Sequence, residues 1–164
     1  MSGGWWKVAD PISRHRPSSG VRPRGPLVLV VEDEDDVREL YAAELAAAGF
    51  MVLEAPDGST AIEKALQFGP HAVVLDLTLP GIDGFKVARR LRSDDRTHEV
   101  AIVALTGLTP SGGTVGEGFE AVAIAAGCDT FFAKPVAPGM LVGEIVRLIA
   151  RRAREALERR PAAR

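Results

Sequence analysis

The chain has 164 residues and a formal net charge of −2, which suits one domain with tails. A single cysteine, Cys128, excludes a disulfide framework and a cysteine-based zinc site; no apolar run approaches the about 18 residues of a membrane span, and no signal-peptide pattern opens the chain, so a soluble cytoplasmic protein is expected. The near-neutral total hides a segregation: residues 1–26 hold five basic and one acidic residue (+4), residues 147–164 seven Arg and two Glu (+5), and residues 27–146 therefore −11.

So acidic a body does not suit a nucleic-acid partner, although either basic tail could touch a phosphate backbone. Residues 1–26 contain four Gly, four Pro and four Ser without apolar periodicity, and are expected to be a flexible N-terminal tail. Trp5 and Trp6 are its only large aromatic groups. Docking of that pair on the body or on a partner is the alternative to a loose terminus.

From Leu27 the pattern alternates. Leu27 to Val31 is an uninterrupted apolar run, the mark of a strand buried on both faces. Val37, Leu40, Tyr41, Leu45 and Ala48 recur at helical spacing, with Gly49 at the C-cap position. Met51 to Leu53 is a second strand, and Asp57-Gly58-Ser59-Thr60 opens a helix that Gly69-Pro70 stops. Ala72 to Leu75 is a third strand ending at Asp76. Pro80-Gly81 makes a turn before a helix that carries Phe85, Ala88 and Leu91 on one face. Val100 to Leu105 is a fourth strand, Phe119 to Ala126 a helix, and Phe131 to Ala133 a fifth strand. Pro138 opens the last helix, with Leu141, Ile145, Leu148 and Ile149 on one face.

Five strands alternating with five helices predict an α/β domain, a doubly wound five-stranded parallel sheet covered on both faces. In such a domain ligands bind beyond the carboxyl ends of the strands. Glu32 and Asp33 follow strand one, Asp76 ends strand three, Thr106 ends strand four, and Lys134-Pro135 follows strand five. With strand order 2-1-3-4-5, Glu32, Asp33 and Asp76 crowd into one crevice, where like charges need a cation. All-oxygen donors with room for water point to Mg²⁺ or a similar hard divalent ion. Lys134 and Thr106 add a positive charge and a hydroxyl to the same crevice, a set that suits a phosphoryl group. Glu34, Asp35 and Asp36 read instead as residues that cap helix one and favour its N-terminal dipole.

The segments Leu29-Val30-Val31-Glu32-Asp33, Val73-Val74-Leu75-Asp76-Leu77-Thr78-Leu79-Pro80-Gly81-Ile82-Asp83-Gly84, Ala104-Leu105-Thr106-Gly107, Ala126-Gly127-Cys128-Asp129 and Lys134-Pro135 follow one another in order. Together they resemble the receiver domain of two-component response regulators, over residues 27 to 150. The resemblance implies a flavodoxin-like three-layer fold and phosphoryl transfer, with Mg²⁺, from a phosphohistidine of a sensor histidine kinase or histidine phosphotransfer protein. It implies Asp76 as phosphoacceptor, Glu32, Asp33, Asp76 and the Thr78 backbone carbonyl as metal ligands, and Lys134 as the contact to phosphoryl oxygens. It also implies that Thr106 closes on the phosphoryl group and that Phe131 is the switch aromatic, the output being contact with a downstream protein. The chain departs from the family pattern in Glu32, where Asp is commoner. It departs again in a longer interval between Thr106 and Lys134, where residues 107–118 hold five Gly.

Residues 151–164 are expected to form an Arg-rich helical C-terminal extension, a solvated continuation of helix five, with self-association into a homodimer left open. Neither membrane contact nor an effector domain after residue 150 is expected. His15, His71 and His98 lack metal spacing, and Cys128 reads as a small packing residue in a turn. Two other function classes fit parts of the pattern: a Mg²⁺-dependent aspartate phosphohydrolase, suggested by Asp33-x-Asp35, and a phosphate-independent binding module. The first generally needs a longer chain and more acids after a later strand; the second is expected to lack Asp76 or Lys134, and both are present.

Overall fold

The computed structural model describes residues 25–107 and 117–159. All of the N-terminal tail but Gly25 and Pro26, residues 108–116 of the Gly-rich segment, and residues 160–164 lie outside them. In chain order the elements are β1 (Leu27–Val31), α1 (Asp35–Ala47), β2 (Met51–Ala55), α2 (Gly58–Phe68), β3 (Ala72–Asp76), α3 (Gly84–Arg92), β4 (Ala101–Thr106), α4 (Glu117–Ala125), β5 (Thr130–Ala133) and α5 (Pro138–Glu158). The five strands form one parallel sheet in the order β2-β1-β3-β4-β5, the expected doubly wound arrangement.

Strand period separates two cores. Leu27, Leu29 and Val31 of β1 face α2, α3 and α4, packing with Ala61, Val87, Leu91 and Ala123. Val28 and Val30 face α1 and α5, packing with Tyr41, Leu45, Leu141 and Ile145. Because both faces are covered, β1, β3 and β4 are buried along their whole length, as continuous apolar runs demand. The edge strand β2 is less completely covered, with Met51 and Glu54 half-buried between buried Val52, Leu53 and Ala55, and it continues to Ala55, beyond the three apolar residues the sequence pattern marks.

Helix ends follow local chemistry. The Asp57 carboxylate accepts from the Thr60 amide at 2.7 Å and that of Asp83 from the Lys86 amide at 2.8 Å, each satisfying a donor of the first turn. Gly69 closes α2 at φ 57°, a left-handed conformation that a β-carbon disfavours. At α1, Glu34 occupies the cap position without a side-chain bond, while Asp35 and Asp36 lie in the first turn. Tyr41, Ala42 and Leu45 form the buried stripe of α1, and Leu40, expected on it, is 56% exposed. The reason is angular: Tyr41 and Leu45 are four apart, while Leu40 sits about 100° round the helix from Tyr41.

The last helix is more than a solvated continuation. Arg151 and Arg152 donate to Asp129 Oδ1 at 2.5 and 2.7 Å, and Arg92 of α3 donates to its Oδ2 at 2.8 Å. Asp129 thus ties α5 and α3 to the start of β5, where its Oδ2 also accepts from the Ile102 amide at 2.9 Å. Cys128 lies beside it, buried, as a packing residue of the α2–α3–α4 side. His71 is structural too, its Nδ1 accepting from the Leu27 amide at 3.0 Å.

Gly84 starts α3 against the end of β3, where an added β-carbon would stand 2.3 Å from the Asp76 carbonyl oxygen and 2.6 Å from Leu77 Cα. Backbone cannot yield as a flexible side chain does. Gly84→Ala is expected to lower urea-unfolding stability by about 1–3 kcal/mol. Gly143→Ala, inside α5 with nothing within 4 Å, is expected to be neutral or to add up to about 1 kcal/mol.

Candidate functional site

Parallel strands all end on the same edge, so the residues after β1, β3, β4 and β5 meet there. Glu32, Asp33 and Asp76 come together with one carboxylate oxygen from each within 4.8 Å of the others. Glu32 and Asp76 are buried, at 2% and 3% exposure, whereas Asp33 faces solvent. Lys134, reaching back from the end of β5, donates to Glu32 Oε2 at 2.5 Å and to Asp76 Oδ2 at 2.6 Å. The second oxygen of Asp76 accepts from the Thr78 amide at 2.7 Å and from the Thr78 hydroxyl at 2.8 Å. The central carboxylate is therefore fixed in orientation by groups from two loops.

Burial is the largest influence on Glu32, pushing its carboxyl above the ordinary 4.5; the hydrogen bond from Lys134 pulls it down and the Asp76 charge pushes it up again. For Lys134 burial opposes the charge, but the bonds to Asp76 and Glu32 outweigh it and hold the ammonium above its ordinary 10.5. Thr106 is fully buried at the end of β4, and its Oγ1 has no hydrogen-bond partner among the described residues. The Lys134 amide donates to the Thr106 carbonyl at 2.7 Å, which binds the lysine loop to the strand beside Asp76.

Phe131 lies on the same side of the sheet as Ala104, its partner across β4–β5, and by strand alternation as Thr106. Its ring packs against Phe119 of α4, with centroids 5.8 Å apart, and Phe119 packs edge-on against Phe85 of α3 at 5.4 Å. The residues singled out in the sequence thus form two groups: Glu32, Asp33, Asp76, Thr78 and Lys134 around the crevice, and Thr106 with Phe131 on the face below it.

Sequence reasoning missed the Thr78 amide and side chain, having given Thr78 only a carbonyl, and missed Arg38. The Arg38 guanidinium donates to the Glu32 carbonyl at 2.8 Å and pairs with Asp35 and, at 3.6 Å, with Glu54. It holds the acidic loop from behind. The signal available was a basic residue three after Asp35 on a helix, a spacing common enough to carry no site by itself.

The donor set fits a hard divalent cation. Three carboxylates, one of them solvent-facing, offer oxygen only, and among the described residues this is the one group of three or more His, Cys, Asp or Glu whose ligand atoms converge so closely. Glu32, Asp33 and Asp76 are the side chains that would hold it.

Comparison with known proteins gives a consistent result. Residues 28–146 match the family model described as the response regulator receiver domain. The chain is 34% identical over 110 residues to the DNA-binding dual master transcriptional regulator RpaA of Synechocystis, covering 67% of this chain and 43% of that one. It is 32% identical over 127 residues to the phosphate regulon transcriptional regulatory protein PhoB of Pseudomonas aeruginosa, covering 77% and 53%. The chain thus spans about half the length of these curated relatives. Among solved structures, a response regulator from Chloroflexus aurantiacus aligns at TM-score 0.70 and 29% identity, covering 77% of this chain and 99% of that one. The receiver domain of the sensor histidine kinase PA1611 of Pseudomonas aeruginosa, with a magnesium ion coordinated in its active-site cleft, aligns at TM-score 0.68 and 28% identity, covering 77% and 98%.

The raised Lys134 value has a defined sign. Stability from this ammonium is fully present below its ordinary 10.5 and is lost as pH rises through the higher folded value. Lys134→Met, which strands two buried carboxylates, is expected to cost about 3–5 kcal/mol at neutral pH without added metal. In urea unfolding against pH, that deficit should hold from neutral pH up to 10.5 and narrow above it as the wild-type ammonium loses its proton. A deficit independent of pH would assign Lys134 to packing.

Proposed function

The chain belongs to the response regulator receiver family, and we propose that it signals by taking a phosphoryl group onto Asp76 from a phosphohistidine of a sensor histidine kinase or histidine phosphotransfer protein. Receiver domains are signalling phosphoacceptors, and a related one holds magnesium in its active-site cleft. The observation that carries the assignment to Asp76 is its carboxylate, 3% exposed at the end of β3, anchored by Lys134 on one oxygen and Thr78 on the other. A carboxylate placed so is aimed rather than merely present.

In the transfer the P–N bond of the donor breaks as an O–P bond forms to Asp76. Glu32, Asp33, Asp76 and the Thr78 carbonyl would hold Mg²⁺, which when bound supplies the positive charge an anionic phosphoryl group needs beside carboxylates. Lys134 supplies a second positive charge and turns part of its hydrogen bonding to phosphoryl oxygens. Thr78 keeps the acceptor carboxylate from rotating, so that attack stays in line. The Thr106 hydroxyl, buried and without a partner among the described residues, has an unused donor for the new group. Because Phe131 shares its side of the sheet and packs on Phe119, movement of Thr106 is passed to α4 and β5. Output is then a change of protein-binding surface around α4, β5 and α5.

Incubation with Mg²⁺ and a small phosphodonor, read by intact mass, is expected to add one phosphoryl group to the protein. Asp76→Asn should take up none while keeping its circular dichroism; equal labelling of that variant would overturn the assignment. In a Mg²⁺ titration, Asp33→Ala should weaken binding by more than about tenfold, the scale already set by losing a group that only hydrogen-bonds to a metal ligand, and Asp36→Ala by less than about twofold. Equal losses would mean that the acidic run acts as a diffuse field.

A further inference from the structure

At the edge of the sheet opposite the carboxylate cluster, an apolar groove of about 360 Å³ runs between the C-terminal end of α1 and the middle of α5. Pro26, Phe50, Val146, Ile149, Ala150 and Ala153 line it. On α5 the apolar stripe Val146, Ala150, Ala153 and Leu157 recurs at spacings of four, three and four, and Val146 and Leu157 are 52% and 65% exposed. A stripe of this kind on a helix already packed on its other face calls for a covering group.

The chain itself arrives at this place. Gly25 lies so close to the end of α1 that a β-carbon would stand 1.9 Å from the Gly49 carbonyl oxygen, and the Pro26 carbonyl accepts from the Met51 amide at 3.1 Å. Residues 1–24 therefore depart from the rim of the groove. They contain Trp5 and Trp6, both tryptophans of the protein, in a stretch otherwise rich in Gly, Ser, Pro and Arg. Eighteen residues separate Trp6 from Gly25, a tether that reaches up to roughly 60 Å. So short a link holds the indoles near the groove at an effective concentration in the millimolar range, which lets a modest apolar contact persist.

We propose that the Trp5–Trp6 segment folds back and covers the α1–α5 groove, with at least one indole seated against Val146, Ala150 and Ala153. Small side chains on α5 leave room for a flat ring, and Phe50 and Pro26 give it an apolar floor. The rest of the tail then acts as a tether. This reading is independent of the chemistry at Asp76.

Because both tryptophans lie in this segment, intrinsic fluorescence of the full chain reports the contact directly. Emission blue of that of a peptide of residues 1–24, and acrylamide quenching about twofold slower or more, are expected for a seated indole. Ala150→Glu and Ala153→Glu, at exposed helical positions, should keep the helical circular dichroism and return both readings to those of the peptide. Peptide-like emission in the unmodified chain would overturn the proposal. So would blue emission that both groove variants leave unchanged, since the pair would then be buried elsewhere. A blue shift that fades on dilution, in step with a fall in mass by light scattering, would assign the groove to a second copy instead.

Discussion

Glu32, Asp33 and Asp76 are driven together by the topology, and the structure around them is arranged to make that tolerable. Two unit charges about 4 Å apart repel by about 4 kcal/mol at an effective dielectric of 20, a sizeable share of the 5–15 kcal/mol that holds a domain folded. Burial of Glu32 and Asp76 sharpens the problem by removing water. The described structure answers with one ammonium, Lys134, shared between the two buried groups, and with the Thr78 donors on Asp76. Asp33, the third carboxylate, faces solvent and is left to water or a cation. Three carboxylates set against one ammonium leave the site two positive charges short, a deficit that a divalent cation would match.

The same geometry at the strand ends decides which residues are linked to the neighbourhood of Asp76. Lys134 follows β5, and its amide is bonded to the carbonyl of Thr106 at the end of β4. That bond joins the lysine loop to the strand whose terminal hydroxyl has no partner among the described residues. Strand alternation then places Thr106, Ala104 and Phe131 on the α2–α3–α4 side of the sheet, with Phe119 and Phe85 beyond. The opposite side, packed by Tyr41 and Leu45 from α1 and by Leu141 and Ile145 from α5, has no comparable aromatic row among the described residues.

Much of this was legible in the residues, because a doubly wound sheet writes itself as short apolar runs and places its chemistry at their ends. Asp76 and Lys134 stood out since neither charge suits the end of a buried strand unless it has partners. The strand order placed those partners. What the sequence left unread depends on side-chain reach and on angles round a helix. Arg38 bonding the Glu32 carbonyl, Leu40 turning outward while Tyr41 turns in, and Asp129 gathering Arg92, Arg151 and Arg152 are contacts between residues without distinctive spacing. The arginines of α5 read as solvated because charge alone does not say which carboxylate a long side chain will find.

That gathering also bears on where the molecule can yield. Asp129 pins the far half of α5 to the start of β5, and Arg92 ties α3 to the same corner through the carbonyls of Gly127, His98 and Val100. The near end of α5 follows directly from Lys134 and Pro135. α5 and α3 are thus held at the edge of the sheet away from the carboxylates, by charge-assisted bonds that rank among the stronger contacts on the surface. α4 has no such tie among the described residues; it packs through Phe119 and Ala123 and leaves Val122 and Ile124 about half exposed. α3 and α5 are thus tied by charge at that corner, whereas α4, the element whose aromatic ring touches Phe131, is seated by apolar packing.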